Sequence, residues 1–262
     1  MNIAVITGAS SGMGREFVRR MDESGFDEIW GVALEKDLLE KVKGECHTKF
    51  RVFDLDLTND ESLNIYKEAL EEEKPNVTWL INCSGYGKFG RYDEIPLSST
   101  LGMIDVNCRA LVGITEITLN FMREGARIIE VSSLAAFQPT PYMNVYAASK
   151  AFVLSYARAL NVELKSRKIS VTCMCPFWTK TAFFKTAEDT ETKEKVVTKY
   201  VAKYEPKDVV NKAIKDAMKR KELSICGSKA RSQVRLVKMF SPKIVMRTWI
   251  KQQKLHKKYK DK

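Results

Sequence analysis

Residues 3–14 read Ile3-Ala4-Val5-Ile6-Thr7-Gly8-Ala9-Ser10-Ser11-Gly12-Met13-Gly14, and this stretch decides the fold. A short apolar run, strand-sized, passes into a turn with glycines at 8, 12 and 14, and a helix-length segment opens at Gly12. Glycine at those places permits a tight turn, lets main-chain N–H groups approach a pyrophosphate, and brings the helix close to the strand. The helix N-terminus then favours the anionic phosphates. An acid, Glu35, follows about twenty residues on, where a ribose-binding carboxylate is expected.

Outward from that turn, strand-like and helix-like segments alternate. Strands are predicted at 3–7, 28–34, 49–55, 77–83, 126–132, 169–175 and 223–226, and helices at 12–24, 37–43, 59–73, 98–122, 142–167 and 207–219. Such alternation predicts an α/β fold: a Rossmann-type, doubly wound, seven-stranded and mainly parallel sheet flanked by helices. Residues 1–227 are read as one nucleotide-binding catalytic domain. Within it, residues 179–205 are charged and Thr/Lys-rich after an aromatic opening, and are read as a substrate lid. Residues 228–262 are a basic amphipathic helical extension divided by Pro242.

Charge is unevenly placed. The formal net charge is +11, and residues 228–262 hold 12 Lys and Arg against the single acid Asp261. The remaining residues balance at 32 bases and 32 acids, so the basic character belongs to the extension and does not argue for nucleic-acid binding by the body. Val234, Val237 and Phe240, then Ile244, Val245, Trp249 and Ile250, make apolar stripes opposite Arg231, Arg235, Lys238, Arg247, Lys251 and Lys254. The stripes are expected to dock on the protein near the lid, with peripheral membrane contact as the alternative. The six cysteines (46, 83, 108, 173, 175, 226) form no C-x-x-C pair, and with only two histidines a metal site is not expected. All six are read as small buried residues. No run approaches the ~20 apolar residues of a membrane span, and no secretory signal is recognised, so a cytoplasmic location is expected.

The second chemical signal is Tyr146-Ala147-Ala148-Ser149-Lys150. On a helix, residues four apart share a face, so Tyr146 and Lys150 point into one site. A phenol is ordinarily too weak an acid to exchange protons at neutral pH, and a nearby ammonium lowers its pKa. Upstream, Val131-Ser132-Ser133 ends an apolar strand and places hydroxyls at the carboxyl edge of the sheet, where ligands bind in such folds.

These features together resemble the short-chain dehydrogenase/reductase family over roughly residues 1–227. Thr7–Gly14 matches the TGxxxGxG turn, Asn82-Cys83-Ser84-Gly85 resembles its NNAG segment, and Asp56-Leu57-Thr58 resembles its adenine-holding step. Asn107 matches the family's catalytic asparagine, and Ser133, Tyr146 and Lys150 match its serine and YxxxK pair. The resemblance implies hydride transfer between NAD(P)(H) and a carbonyl or secondary alcohol. In that scheme Tyr146 exchanges the proton, Ser133 hydrogen-bonds the substrate oxygen, Lys150 lowers the tyrosine pKa and contacts the ribose, and Asn107 holds a relay water. Cofactor contacts are implied for Gly8, Ser10, Ser11, Gly12, Met13, Gly14, Glu35, Asp56, Leu57, Asn82, Ser84, Gly85, Tyr146, Lys150, Pro176, Thr179 and Thr181. Relatives are commonly dimers or tetramers, which implies a homodimer or homotetramer here.

The sequence departs from the family where Pro-Gly is usual after the sixth strand: here Phe177 follows Pro176. Positions that carry a base in NADP-preferring relatives hold Ser11 and Leu34, while Glu35 could reach ribose hydroxyls, so NAD is favoured. Ser133, Leu134, Phe137, Tyr142, Met143, Phe177, Trp178 and Phe183 are expected to border the substrate, with Phe184 beside them. That aromatic wall suits a bulky apolar small molecule such as a hydroxysteroid or bile acid. A 3-oxoacyl-type ketoreductase is the alternative, and a non-catalytic nucleotide-binding or membrane-surface protein the reading from another class.

Overall fold

Every residue of Ile3–Ile6 is fully buried, because strand β1 (Asn2–Thr7) lies at the centre of a sheet covered on both faces. The computed structural model describes residues 1–190, 195–199 and 202–255. Its seven strands are β1, β2 (Glu28–Ala33), β3 (Lys49–Asp54), β4 (Asn76–Asn82), β5 (Arg127–Val131), β6 (Ser170–Met174) and β7 (Leu223–Ser224). They lie in the order β3-β2-β1-β4-β5-β6-β7, and all six pairings are parallel.

Side chains alternate across the sheet and feed two cores. Ile3 and Val5 point to one, with Tyr66 and Leu70 of α3 (Asp60–Glu73), Ile114 of α5 (Leu111–Leu119) and Leu154 and Leu160 of α6 (Asn144–Glu163). Ala4 and Ile6 point to the other, with Phe17 and Met21 of α1 (Gly12–Asp22), Leu39 of α2 (Lys36–Glu45) and Val210 and Ala213 of α8 (Pro206–Met218). Each such side chain contributes about 1.5–3 kcal/mol on burial. The α1 contact needs Gly14: a Cβ there would lie 1.9 Å from the Gly8 carbonyl oxygen, so any side chain would push the helix off the strand.

Two expectations need correction, and the lid segment can be described in part. The helix expected over 98–122 is interrupted: α4 (Leu97–Ile104) passes into a π-turn at Asp105–Ala110 before α5 begins. The wider turn re-aims Asn107, which is fully buried, toward the loop after β4. Only Cys173 and Cys175 are buried; Cys46, Cys83 and Cys226, beside element ends, and Cys108, within the π-turn, are partly exposed. The segment 179–205 is tied down where it is described. It contains α7 (Phe183–Glu188), a parallel bridge between Thr179 and Tyr204, and the buried Val196 and Val197.

The basic extension forms α9 (Ser228–Met239) and α10 (Pro242–Gln252), broken near Pro242. Val234 docks on the main core and Trp249 on the apolar cluster around Tyr146, but Phe240 is 50% exposed. The first stripe therefore seats only its N-terminal half. Residues 256–262 of the extension, and 191–194, 200 and 201 of the lid, lie outside the described residues. Among the described residues, no helix is long and apolar enough to cross a membrane.

Candidate active site

The sheet order reverses between β1 and β4, and a crevice opens at their carboxyl ends. Thr7 stitches its floor: its hydroxyl oxygen accepts from the main-chain N–H groups of Cys83 and Ser84, each at 3.1 Å. Helix α1 begins at this crevice with Ser11 as N-cap, and no side chain caps its first turn. An uncapped eleven-residue helix reached through a glycine turn fits a pyrophosphate by both donor geometry and dipole. Beside it, Ser10 Oγ donates to Glu35 Oε2 at 3.0 Å, which holds the exposed Glu35 carboxylate next to the glycine turn. Asp56 Oδ1 accepts from Thr58 N and Oγ1, at 2.9 and 2.7 Å, closing the turn after β3.

Two residues expected at the cofactor turn their side chains elsewhere. Leu57 is in the core. Asn82 Nδ2 donates to Thr115 Oγ1 and Glu130 Oε1, at 2.8 and 3.2 Å, beneath the sheet edge. Glu130 itself is wholly buried, its Oε2 has no hydrogen-bond partner, and burial pushes its carboxyl up to about 7. Nothing in the motif spacing pointed to it.

Ser133, Tyr146 and Lys150 come together as the resemblance implies. Ser133 ends the β5 segment, and α6 brings Tyr146 and Lys150 one turn apart over it. Ser133 pulls the Tyr146 phenol pKa down, yet burial outweighs it and pushes the phenol up to about 12. This reverses the expected direction. The Lys150 amine is turned to the Val131 carbonyl oxygen at 3.0 Å, and burial lowers its own pKa. The water-holding role also falls away from the side chain of Asn107. Its Nδ2 donates to Tyr86 O and Ser149 Oγ, at 2.9 and 3.0 Å, and its Oδ1 accepts from Tyr86 N at 3.1 Å. Asn107 thus fastens the loop after β4 to α6.

Above the triad lies a chamber of about 120 Å³. Of the expected residues, Met13, Gly85, Pro176, Thr179 and Thr181 line one side, and Leu134, Met143, Phe177, Trp178, Phe183 and Phe184 the other. Phe183 packs at a tilt against the Tyr146 ring, with centroids 5.5 Å apart. Gly87 lets the loop lie against that ring, since a Cβ there would come 2.7 Å from Tyr146 Cδ2. Phe137 and Tyr142 are not among the lining residues. The 3-10 turn Leu134–Phe137 carries Phe137 under the Lys238 ammonium, 5.4 Å from its ring centre, and Tyr142 sits in the left-handed turn before α6. In their place come Gln138, Thr140, Gln233, Trp249, Gln252 and Gln253. Trp249 Nε1 donates to Pro141 O at 3.0 Å, and Gln253 Oε1 accepts from Thr198 N and Lys199 N, each at 2.9 Å. The C-terminal helices are therefore part of the chamber wall. Only the apolar stripe through Trp249 signalled this in the sequence.

A profile of the short chain dehydrogenase family matches residues 2–192. The chain belongs to the short-chain dehydrogenase/reductase family. Its oxidoreductase class follows from that membership. It is 31% identical over 188 residues to sulfoacetaldehyde reductase 2 of Chromohalobacter salexigens, covering 70% of this chain and 74% of that one. It is also 31% identical over 193 residues to the very-long-chain 3-oxoacyl-CoA reductase of Anas platyrhynchos, covering 70% of this chain but 61% of the duck protein. Among solved structures, a short-chain dehydrogenase from Sphingobium yanoikuyae in complex with NADPH superposes with a TM-score of 0.75 at 25% identity, over 89% of this chain and 91% of that one. A 7beta-hydroxysteroid dehydrogenase reaches a TM-score of 0.78 at 20% identity, over 95% and 96%, a likeness of fold alone.

Proposed function

We propose that this short-chain dehydrogenase/reductase interconverts a carbonyl and a secondary alcohol on a slim apolar substrate, with NAD(P)(H) as cofactor. The observation that carries the reading is the placing of Ser133, Tyr146 and Lys150 on the wall of one largely apolar chamber, with Lys150 one helical turn from Tyr146. The turn at residues 8–14, Glu35 and Asp56 would hold the dinucleotide, with Glu35 favouring NAD through ribose hydroxyls. When bound, the nicotinamide supplies the hydride donor or acceptor.

The protein's own part is proton management and orientation. Buried and protonated, Tyr146 is the proton donor to a carbonyl oxygen in the reductive direction. Ser133 Oγ hydrogen-bonds that oxygen and stabilises charge developing on it. Lys150 stands at the cofactor side of the chamber with its amine held by Val131, and Asn107 fixes the loop that shapes the floor. The aromatic wall of Trp178, Phe183 and Phe184 excludes water.

Chamber size bears on the substrate. Pockets for compact drug-sized ligands run to about 300–1,000 Å³, so a space of about 120 Å³ favours a narrow acyl chain over a rigid four-ring steroid. The duck relative, a very-long-chain 3-oxoacyl-CoA reductase, points the same way. The test is Tyr146→Phe, assayed with NADH and NADPH on a ketone panel. Turnover should fall by about three orders of magnitude or more with cofactor affinity retained, since only the transferable proton is lost. A variant keeping a tenth of the wild-type rate would remove Tyr146 from the reaction.

A further inference from the structure

A second cavity, of about 330 Å³, lies between α9 and α10. Its walls are aliphatic and aromatic: Leu236, Val237 and Phe240 from one helix, Ile244 and Val245 from the other. Gln138, Gln233, Trp249 and Gln252 line this cavity and the Tyr146 chamber alike, so the two adjoin across one collar of shared residues. The three collar glutamines are half-buried, and their side-chain amides make no hydrogen bond to any described residue. At the outer end Leu236, Phe240 and Ile244 are about half exposed, which leaves the groove open to the surface.

We infer that the α9–α10 groove is the subsite for the alkyl chain of an elongated substrate whose carbonyl stands at Tyr146. The inference rests on the proposed carbonyl chemistry and deepens it by naming the substrate's shape. Three features favour an alkyl chain as the occupant. The groove adjoins the Tyr146 chamber through shared lining residues. Beyond the collar its lining is hydrocarbon apart from Thr248, so a linear chain gains burial along that stretch. Trp249 stands where the two meet, its ring fixed by the bond to Pro141 O. The unpaired amides of Gln138, Gln233 and Gln252 add a hydrogen-bonding ring at the collar, where a substrate's second oxygen or amide would find donors. Trp249 is the specificity-determining side chain, because it is anchored to Pro141 O and borders both spaces.

The experiment is a chain-length series, 2-butanone to 2-tridecanone, reduced by the full-length wild type and by Val237→Trp and Val245→Phe, each variant first checked by circular dichroism. Binding of cis-parinaric acid, a linear fluorescent chain, is measured on the same proteins from its own emission. For the wild type, kcat/KM should rise with each methylene by up to about fourfold, the equivalent of about 0.8 kcal/mol per buried CH₂, and then level off. In a folded groove variant the rise should flatten, and parinaric acid should bind at least tenfold more weakly. A wild type indifferent to chain length, or a rise and a parinaric affinity that survive in both variants, would overturn the inference. If no ketone is reduced, the carbonyl reading fails and the groove stands or falls on parinaric binding alone. A variant that changes oligomer size without changing chain-length response or parinaric binding would assign the groove to a contact between copies and overturn the subsite.

Discussion

The Lys150 amine donates to the Val131 carbonyl oxygen at 3.0 Å, and Ser132 Oγ donates back to the Lys150 carbonyl oxygen at 2.6 Å. This reciprocal clasp joins the carboxyl end of β5 to the middle of α6. It sets the register in which Ser133, one residue beyond the clasp, meets Tyr146, one helical turn before Lys150. The reactive pair is thereby positioned by the sheet edge.

The raised phenol of Tyr146 fixes the direction of the pH response. With its pKa at about 12, the group is protonated throughout the working range. Reduction needs the protonated phenol, so reductive kcat/KM should contain no Tyr146 ionisation between pH 6 and about 10. Oxidation needs the phenolate, so its rate should climb about tenfold per pH unit toward that pKa. Because Ser133 lowers the phenol pKa, Ser133→Ala should move the oxidative profile to still higher pH. Profiles measured in both directions on wild type and variant decide this. An oxidative rate that levels off below pH 8 would contradict it.

Glu35 is held beside the glycine turn by Ser10, where a carboxylate accepts from ribose hydroxyls and repels a 2′-phosphate. Glu35→Ala should therefore weaken NADH binding several-fold and leave NADPH unchanged or tighter. Dissociation constants from nicotinamide fluorescence give the answer. Equal losses for both cofactors would show that Glu35 plays no part in the choice.

Glu130 makes stability depend on pH. Burial raises its folded-state pKa from the ordinary carboxylate range to about 7, while Thr115, Asn82 and Lys150 pull it partly back. Between about pH 4.5 and 7 the folded state keeps a proton that the unfolded state has released. Stability then falls as pH rises through that window, and the loss is complete above it. Glu130→Gln should flatten this decline and stabilise the protein at pH 8 by roughly 3 kcal/mol at most. Urea melts at pH 5 and pH 8 measure it. An unchanged slope between the two pH values would show that Glu130 stays ionised in the fold.

Local spacing carried the nucleotide turn and half of the catalytic group. A strand-sized apolar run, glycines at 8, 12 and 14, and a tyrosine four residues before a lysine need only backbone sterics and the helical repeat to be read. The alternation of short apolar strands with helix-length segments likewise determined a parallel sheet, since only crossovers can join parallel neighbours. What the tertiary structure decided concerns groups whose surroundings come from distant segments. The π-turn at 105–110 re-aims Asn107, and its side chain is spent on Tyr86 and Ser149. The carboxyl of Glu130 holds its proton to unusually high pH because it is buried beneath α5 and β4, and the Tyr146 phenol rises because Phe89 and Phe183 pack against it. Phe137 leaves the expected wall for a place under Lys238, and Trp249 from the far end of the chain takes a place in the chamber. Desolvation depends on what covers a residue, and the covering chain is remote in sequence. Spacing therefore determined which groups could react, and packing determined their protonation and the shape of the space in front of them.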